Sequence, residues 1–327
     1  MRMPELDELL AQARVVALPM VTRFRGVTVR EAVLLRGSEG WTEFSPFPEY
    51  GDAEAATWLA AAIDFGWNEQ PPPVRDAIPV NATVPAVAVG AVPAVLARYD
   101  GCRTAKVKVA ERGQSLAEDV ARVQAVRAAM GPEGRVRIDA NGGWNVDEAE
   151  RAIHALADAD LEYVEQPCAT VDELAELRAR IRRWDVPIAA DESVRKATDP
   201  LAVARAGAAD ILIVKAQPLG GARRALEIVA QAGLPAVVSS ALDTSIGLGM
   251  GVTLAAALPM LDHDCGLGTA SLFTADVTTP PLRPAGGMLP VGRVAPDPAR
   301  LDELAAAPDR TAWWLARLAR CYALLPG

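Results

Sequence analysis

Histidine is almost missing: His154 and His263 are the two in 327 residues. Chemistry built on a histidine-containing triad, or on two or three imidazole ligands, has almost nothing to draw on. Cysteine is sparse as well. Cys102, Cys168, Cys265 and Cys321 lie far apart and form no CxxC pair, so they read as reduced thiols of a cytoplasmic protein, not as a disulfide scaffold or a zinc site. Long apolar runs are lacking. The longest, Val80 to Leu96, is interrupted by Pro85 and Pro93 and is too short to span a bilayer. Residues 1–8 place Glu5, Asp7 and Glu8 where a signal peptide has its apolar core. Positive charge is in deficit, with 33 basic against 42 acidic side chains and a net charge of −9. No nucleic-acid or membrane partner is expected from such a surface. The remaining composition, 51% hydrophobic, is ample for the core of one large domain or two ordinary ones. Oligomeric state is left open.

What is present has a rhythm that changes along the chain. Residues 15–25 and 28–36 read as strands, and Gly37-Ser38-Glu39-Gly40 turns back into a third at 41–45. Residues 52–67 are alanine-rich and helical, and Pro71-Pro72-Pro73 marks a boundary. This predicts a small α+β unit over residues 1–77. From residue 78, short apolar runs at 80–84, 105–109, 136–139, 163–166, 188–191, 211–215 and 237–240 alternate with helical stretches. Those stretches are 116–130, 146–157, 171–184, 200–206, 222–231 and 246–258. Asn145, with Glu148 three residues on, predicts a capping box. The alternation predicts an α/β fold with a parallel sheet and helices outside. So many units favour closure into a modified (β/α)8-type barrel, (β/α)7β, over residues 78–275, with 263–269 as a weak last strand. A proline- and glycine-rich stretch then leads to a helix at 309–325, whose apolar side carries Trp313, Trp314, Leu318 and Tyr322. Segment 276–327 is predicted to pack back on the amino-terminal unit.

Chemistry is written at the strand ends. The apolar runs finish in Lys106 and Lys108, then Asp139, Glu165, Asp191 and Lys215, spaced 31, 26, 26 and 24 residues from Lys108 onward. Each interval is about one βα unit, and a parallel barrel gathers these ends at one mouth. Lys106 and Lys108 share a face by the period of two, as do Asp139 and Asn141. One charged strand end is ordinarily solvated or ion-paired. Three converging carboxylates repel one another unless a cation lies between them, and an all-oxygen set suits a hard divalent ion, Mg²⁺ above all. Lysines flanking that ion can do acid–base work, because positive neighbours and desolvation lower an ammonium pKa. Gly247, Gly249 and Gly251 read either as close helix packing or as a phosphate-binding helix start. His154 is expected on the surface of an outer helix, and His263 in a structural role.

The set Lys106-Val107-Lys108, Asp139-Ala140-Asn141, Val164-Glu165-Gln166-Pro167, Asp191-Glu192-Ser193 and Lys215 resembles the enolase superfamily, in particular its muconate-lactonizing branch. The likeness covers the whole barrel, and the amino-terminal unit fits that family's capping domain. It implies Mg²⁺ on Asp139, Glu165 and Asp191, with Lys108 and Lys215 facing each other across a carboxylate substrate. The ion would stabilise the enediolate left by removal of an α-proton. The branch with a histidine–aspartate base needs a histidine near the seventh strand, and residues 237–243 contain none.

Within the lysine–lysine branch, residues 239–247, 265–270, 24–31 and 43–47 are similar to the actinobacterial o-succinylbenzoate synthases. That resemblance implies syn-dehydration of 2-succinyl-6-hydroxy-2,4-cyclohexadiene-1-carboxylate in menaquinone biosynthesis. Lys108 would take the proton and return it to the departing hydroxyl, Lys215 would stabilise the anion, and Lys106 would bias Lys108. Asn141 and Glu192 would orient the ligands, and Ser239, Ser240 and Gly268 would receive the succinyl carboxylate. An N-succinylamino-acid racemase of the same branch needs the same ion and the same lysines, and stays open. From other classes, a Schiff-base aldolase on Lys215 and a non-catalytic binding barrel are the alternatives.

Overall fold

Alternating apolar residues make residues 14–36 a long hairpin. Strands β1 (Arg14–Phe24) and β2 (Val27–Arg36) pair antiparallel, and β3 (Trp41–Phe44) adds to β2. The computed structural model describes residues 2–24, 26–196 and 199–326. Arg25, the last residue of the first expected strand, lies outside the described residues. The helix Asp52–Trp67 follows, with Asp52 and Glu54 in its first turn, where carboxylates offset the helix dipole. It buries Trp58, Leu59 and Ile63 against the three strands.

After β4 (Ala77–Pro79), seven parallel strands lie side by side in chain order. They are β5 (Ala82–Val84), β6 (Thr104–Lys108), β7 (Arg135–Asp139), β8 (Leu161–Glu165), β9 (Ile188–Ala190), β10 (Ile211–Val214) and β11 (Ala236–Val238). Helices Leu116–Met130, Val146–Ala155, Val171–Ile181 and Ala222–Ala232 pack outside them. The first three of these helices open with capping boxes, Ser115 with Glu118, Asn145 with Glu148, and Thr170 with Glu173. Inside the sheet's curl, Tyr163, Ala189, Ile211, Ile213 and Val237 fill the floor.

Three expected elements come out differently. The run 80–84 is not one strand: the Val80 amide turns to the carbonyl of Gly287 and that of Asn81 to Cys265. The cause is that β4 pairs with β12 (Met288–Pro290) while β5 joins the barrel, so the chain serves two sheets. Residues 263–269 supply bridges at Cys265 and Gly266, to Val80 and Ser239, before the 3-10 turn Gly268–Leu272. Glycines at 266 and 268 hold little strand preference, so no longer strand forms there. The stretch 200–206 yields one turn of helix, Ala202–Arg205.

A second apolar core joins the three-stranded sheet, the Asp52–Trp67 helix and the helix Pro308–Tyr322. Trp314 is fully buried and meets Phe44 edge to face at 6.0 Å. Arg317 donates to the carbonyls of Phe47 and Tyr50. Among the described residues no helix is long and apolar enough to cross a membrane.

Candidate active site

Register explains why the charged strand ends meet. Lys108 is paired with Asp139 and Asp139 with Glu165, while Glu165 is paired with Ala189 and Ala189 with Ile211. Asp191 lies two residues past Ala189, and Lys215 two past Ile213, so period two keeps all of them on the inner face. The stagger is the shear of a barrel.

The three carboxylates are at most 1% exposed and the three lysines 7–8%, so none of these charges is satisfied by bulk water. Lys106 Nζ donates to both oxygens of Glu165 at 2.9 Å and sits 3.3 Å from Asp139 Oδ2. Lys108 Nζ donates to the same Asp139 oxygen at 2.5 Å and to Asn141 Oδ1 at 2.6 Å. Lys215 Nζ donates to Asp191 Oδ2. Burial works against the charge on Lys106, but Glu165 and Asp139 outweigh it and hold the ammonium above the usual lysine range. Lys215 goes the other way: burial lowers it, and the charge of Arg195 adds to that against Asp191. Asp139 stays ionised despite burial because Lys108 and Lys106 face it. Burial and the neighbouring Asp139 push Glu165 up to about 8, with Lys106 opposing.

Arg195 was not singled out in the sequence, and Gln166 only as part of a motif, without its role. Arg195 donates to Asp191 Oδ1 at 3.0 Å, to Glu192 Oε1 at 2.6 Å and to the phenol oxygen of Tyr50 at 3.1 Å. Glu192 Oε1 also accepts from Asn141 Nδ2 at 3.2 Å, which continues the chain of hydrogen bonds to Lys108. Gln166 takes the left-handed backbone region, φ +37°, and its Oε1 accepts from the amides of Asp191 and Ser193. It thereby fixes the turn that carries Asp191.

Among the described residues no three acidic, imidazole or thiol side chains surround a common point as they stand; the lysine ammonium groups are seated against the carboxylates. The donor set nevertheless fits a hard divalent cation. It is all oxygen, its three carboxylates are buried side by side, and Glu192 Oε2 beside Asp191 is buried without a partner.

Above these groups a cavity is lined by Lys106, Lys108, Asp139, Asn141, Asp191 and Lys215. Ser239, Ser240, Ala241, Leu242, Gly266, Thr269 and Thr83 complete its walls, and Phe24 and Phe47 come from the amino-terminal unit. Phe24 lies 5.3 Å from Lys108 Nζ. Glu165 lies beneath the lining and holds Lys106. Gly268 is not on the wall; it packs against the Asn81 carbonyl and the Tyr99 ring, and Gly266 and Thr269 line the cavity instead. The Ser239 and Ser240 hydroxyls reach the carbonyl of Gly266, and Ser240 also pairs with Thr269. Gly247 and Gly251 admit close packing against Glu43 and Leu267. His154 is exposed beside Trp184, and His263 bonds Glu162 away from the mouth.

Comparison with known proteins gives the family and the fold. Residues 91–297 match the family model described as Enolase C-terminal domain-like, and residues 15–66 the one described as Enolase N-terminal domain-like. The chain is 59% identical over 321 residues to an o-succinylbenzoate synthase of Mycobacterium ulcerans, covering 98% of this chain and 96% of that protein. It is 58% identical over 323 residues to that of Mycolicibacterium smegmatis, covering 98% of each. In fold it is similar to the muconate lactonizing enzyme of Pseudomonas fluorescens, with a TM-score of 0.76 at 23% identity over 90% of this chain and 98% of that one. An N-succinyl Arg/Lys racemase of Bacillus cereus gives a TM-score of 0.73 at 18% identity, with the same coverage.

Proposed function

Because the chain belongs to the enolase superfamily, we propose that its pocket converts 2-succinyl-6-hydroxy-2,4-cyclohexadiene-1-carboxylate to o-succinylbenzoate. It is then a carbon–oxygen lyase of menaquinone biosynthesis. The observation that carries this reading is the ring of six buried ionisable side chains, with Lys108 and Lys215 on strands four apart around the sheet. It is supported by full-length similarity to o-succinylbenzoate synthases.

Superfamily membership makes the activity dependent on a divalent metal. Asp139, Glu165 and Asp191 would hold that ion, Mg²⁺ by the hardness of their oxygens, and when bound it supplies the positive charge that makes a proton next to a carboxylate removable. The Lys108 amine takes that proton, aimed by its contacts to Asp139 and Asn141. The resulting ammonium returns it to the hydroxyl leaving from the same face, water departs, and the ring becomes aromatic. Lys215 faces the anion from the other side, where fixed positive charge stabilises it as it forms. Lys106, held charged by Glu165 and Asp139, places a fixed positive charge beside Lys108. Phe24 and Phe47 keep water from the reacting carbon. Ser239 and Ser240 are proposed to receive the succinyl carboxylate, with Thr269 on the wall in the place expected of Gly268, which lies behind it.

N-succinylamino-acid racemisation is a second reading, favoured by the equal burial of Lys108 and Lys215, since it needs a proton carrier on each face. Schiff-base chemistry at Lys215 has no such support, because it leaves the three buried carboxylates Asp139, Glu165 and Asp191 without a role. The four free thiols support a reducing compartment, the cytoplasm.

The test is incubation with the cyclohexadiene substrate while aromatisation is followed by ultraviolet absorbance. Activity is expected to vanish with EDTA and to return with excess Mg²⁺. Turnover that survives chelation, or none with Mg²⁺ present, overturns the reading.

A further inference from the structure

One wall of the pocket is gripped from the other domain. Arg30, on β2, is 1% exposed. Its Nε donates to the carbonyl of Leu242 at 3.1 Å, and its Nη2 to those of Ala241, at 3.2 Å, and Ser45. Its guanidinium lies over the Phe47 ring at 4.4 Å. Ala241, Leu242 and Phe47 all line the pocket. Leu242 has φ +61°, a left-handed conformation that a bulky side chain adopts only when its surroundings enforce it.

The other end of the same loop is held by the next strand. Glu43, on β3, is fully buried. It accepts from Ser45 Oγ and Thr244 Oγ1 at 2.5 Å, from the Thr244 amide at 3.0 Å and from the Gly247 amide at 3.2 Å. The last two are backbone donors at the start of the helix Ser245–Ala257, where a carboxylate is favoured. Gly247 leaves room there, because a methyl group at that position would come within 2.6 Å of the Glu43 carboxyl carbon and push the carboxylate aside. A cation therefore holds the loop's carbonyls and an anion its amides.

We propose that Arg30 and Glu43 are positioning residues for the substrate: they clamp residues 241–247 in the strained form that shapes one wall of the pocket. Substrate affinity then depends on a pair of capping-domain residues that touch no reacting atom. The inference rests on reading the cavity as the substrate site.

The experiment compares wild type, Glu43→Gln, Gly247→Ala and the double variant Glu43→Asp/Gly247→Ala by steady-state aromatisation kinetics with Mg²⁺. Gly247→Ala removes no hydrogen-bonding group, so it keeps the question open should Glu43→Gln not fold. In each single variant KM is expected to rise about tenfold with kcat within about twofold, the pattern of lost binding rather than lost chemistry. Shortening the acid in the double variant makes room for the methyl and is expected to bring KM back toward wild type. A merely structural role lowers the folded fraction, and so apparent kcat, while leaving KM in place; that result, or unchanged kinetics, overturns the clamp. Wild-type protein that fails to turn over the substrate refutes the functional reading instead.

Discussion

Replacing Lys108 by alanine removes the amine that bonds Asp139 and Asn141. Aromatisation is expected to slow by about 10²–10⁴-fold, the usual worth of a positioned acid–base group. The fold should be retained, because Lys106 stays 3.3 Å from the same Asp139 oxygen; circular dichroism with steady-state kinetics checks both. Lys215 separates the two readings of the site. With α-deuterated substrate, a dehydratase loses its label through Lys108 alone, whereas a racemase exchanges through Lys215 as well, and Lys215→Ala followed by NMR tells them apart. The residues proposed to react were legible because each is a charge ending an apolar run, and register does the rest. Arg195 was not, since its phenol partner Tyr50 lies 145 residues away and no local pattern couples them. Phe24 and Phe47 stood out only as members of stretches that resemble the synthases, with no place in the pocket legible, and Thr83 left no signal, as it looks like an ordinary strand residue.

At the scale of elements, the loop between β11 and the helix Ser245–Ala257 carries a titration of its own. Asp243 is buried, accepts from Gln217 at 2.9 Å, and is pushed up to about 7 by burial and by Glu43, with Arg30 and Lys215 opposing. A carboxyl raised in the folded state binds its proton more tightly there than in the unfolded chain. This group's contribution therefore favours folding at low pH and is lost as pH rises toward and through about 7. The unfolding temperature is expected to fall by several degrees between pH 5.5 and 8.5 on this account. Asp243→Asn should flatten that slope, and calorimetry across the range checks it. Strand and helix order was readable from alternation of period two with helical stretches. The splitting of residues 80–84 was not, because it follows from pairing with β12 more than 200 residues later. Two of the three capping boxes went unread although Ser115-x-x-Glu118 and Thr170-x-x-Glu173 carry the same sign as Asn145-x-x-Glu148.

For the molecule as a whole, the helix Pro308–Tyr322 ties the capping domain together. Trp314 packs fully buried against Phe44, and its indole nitrogen donates to Glu31 at 2.9 Å. Trp314→Ala is expected to cost about 3–5 kcal/mol, the usual range for emptying such a site, and urea unfolding measures it. Because Arg317 on the same helix supports the carbonyls of Phe47 and Tyr50, KM should rise in that variant as well. The scarcity of histidine was informative at this scale, since it left lysine and carboxylate as the chemistry available to the barrel. The division of labour between the two domains also bears on how such an enzyme changes over generations. Every charged group proposed for the reacting centre stands at a barrel strand end, while Phe24, Phe47, Arg30 and Glu43 belong to the first 50 residues. Mutations at Arg30 and Glu43, which grip the backbone of residues 241–247, are therefore expected to remodel which molecules enter while proton transfer is kept, so that new substrates are open to selection and the old chemistry is inherited.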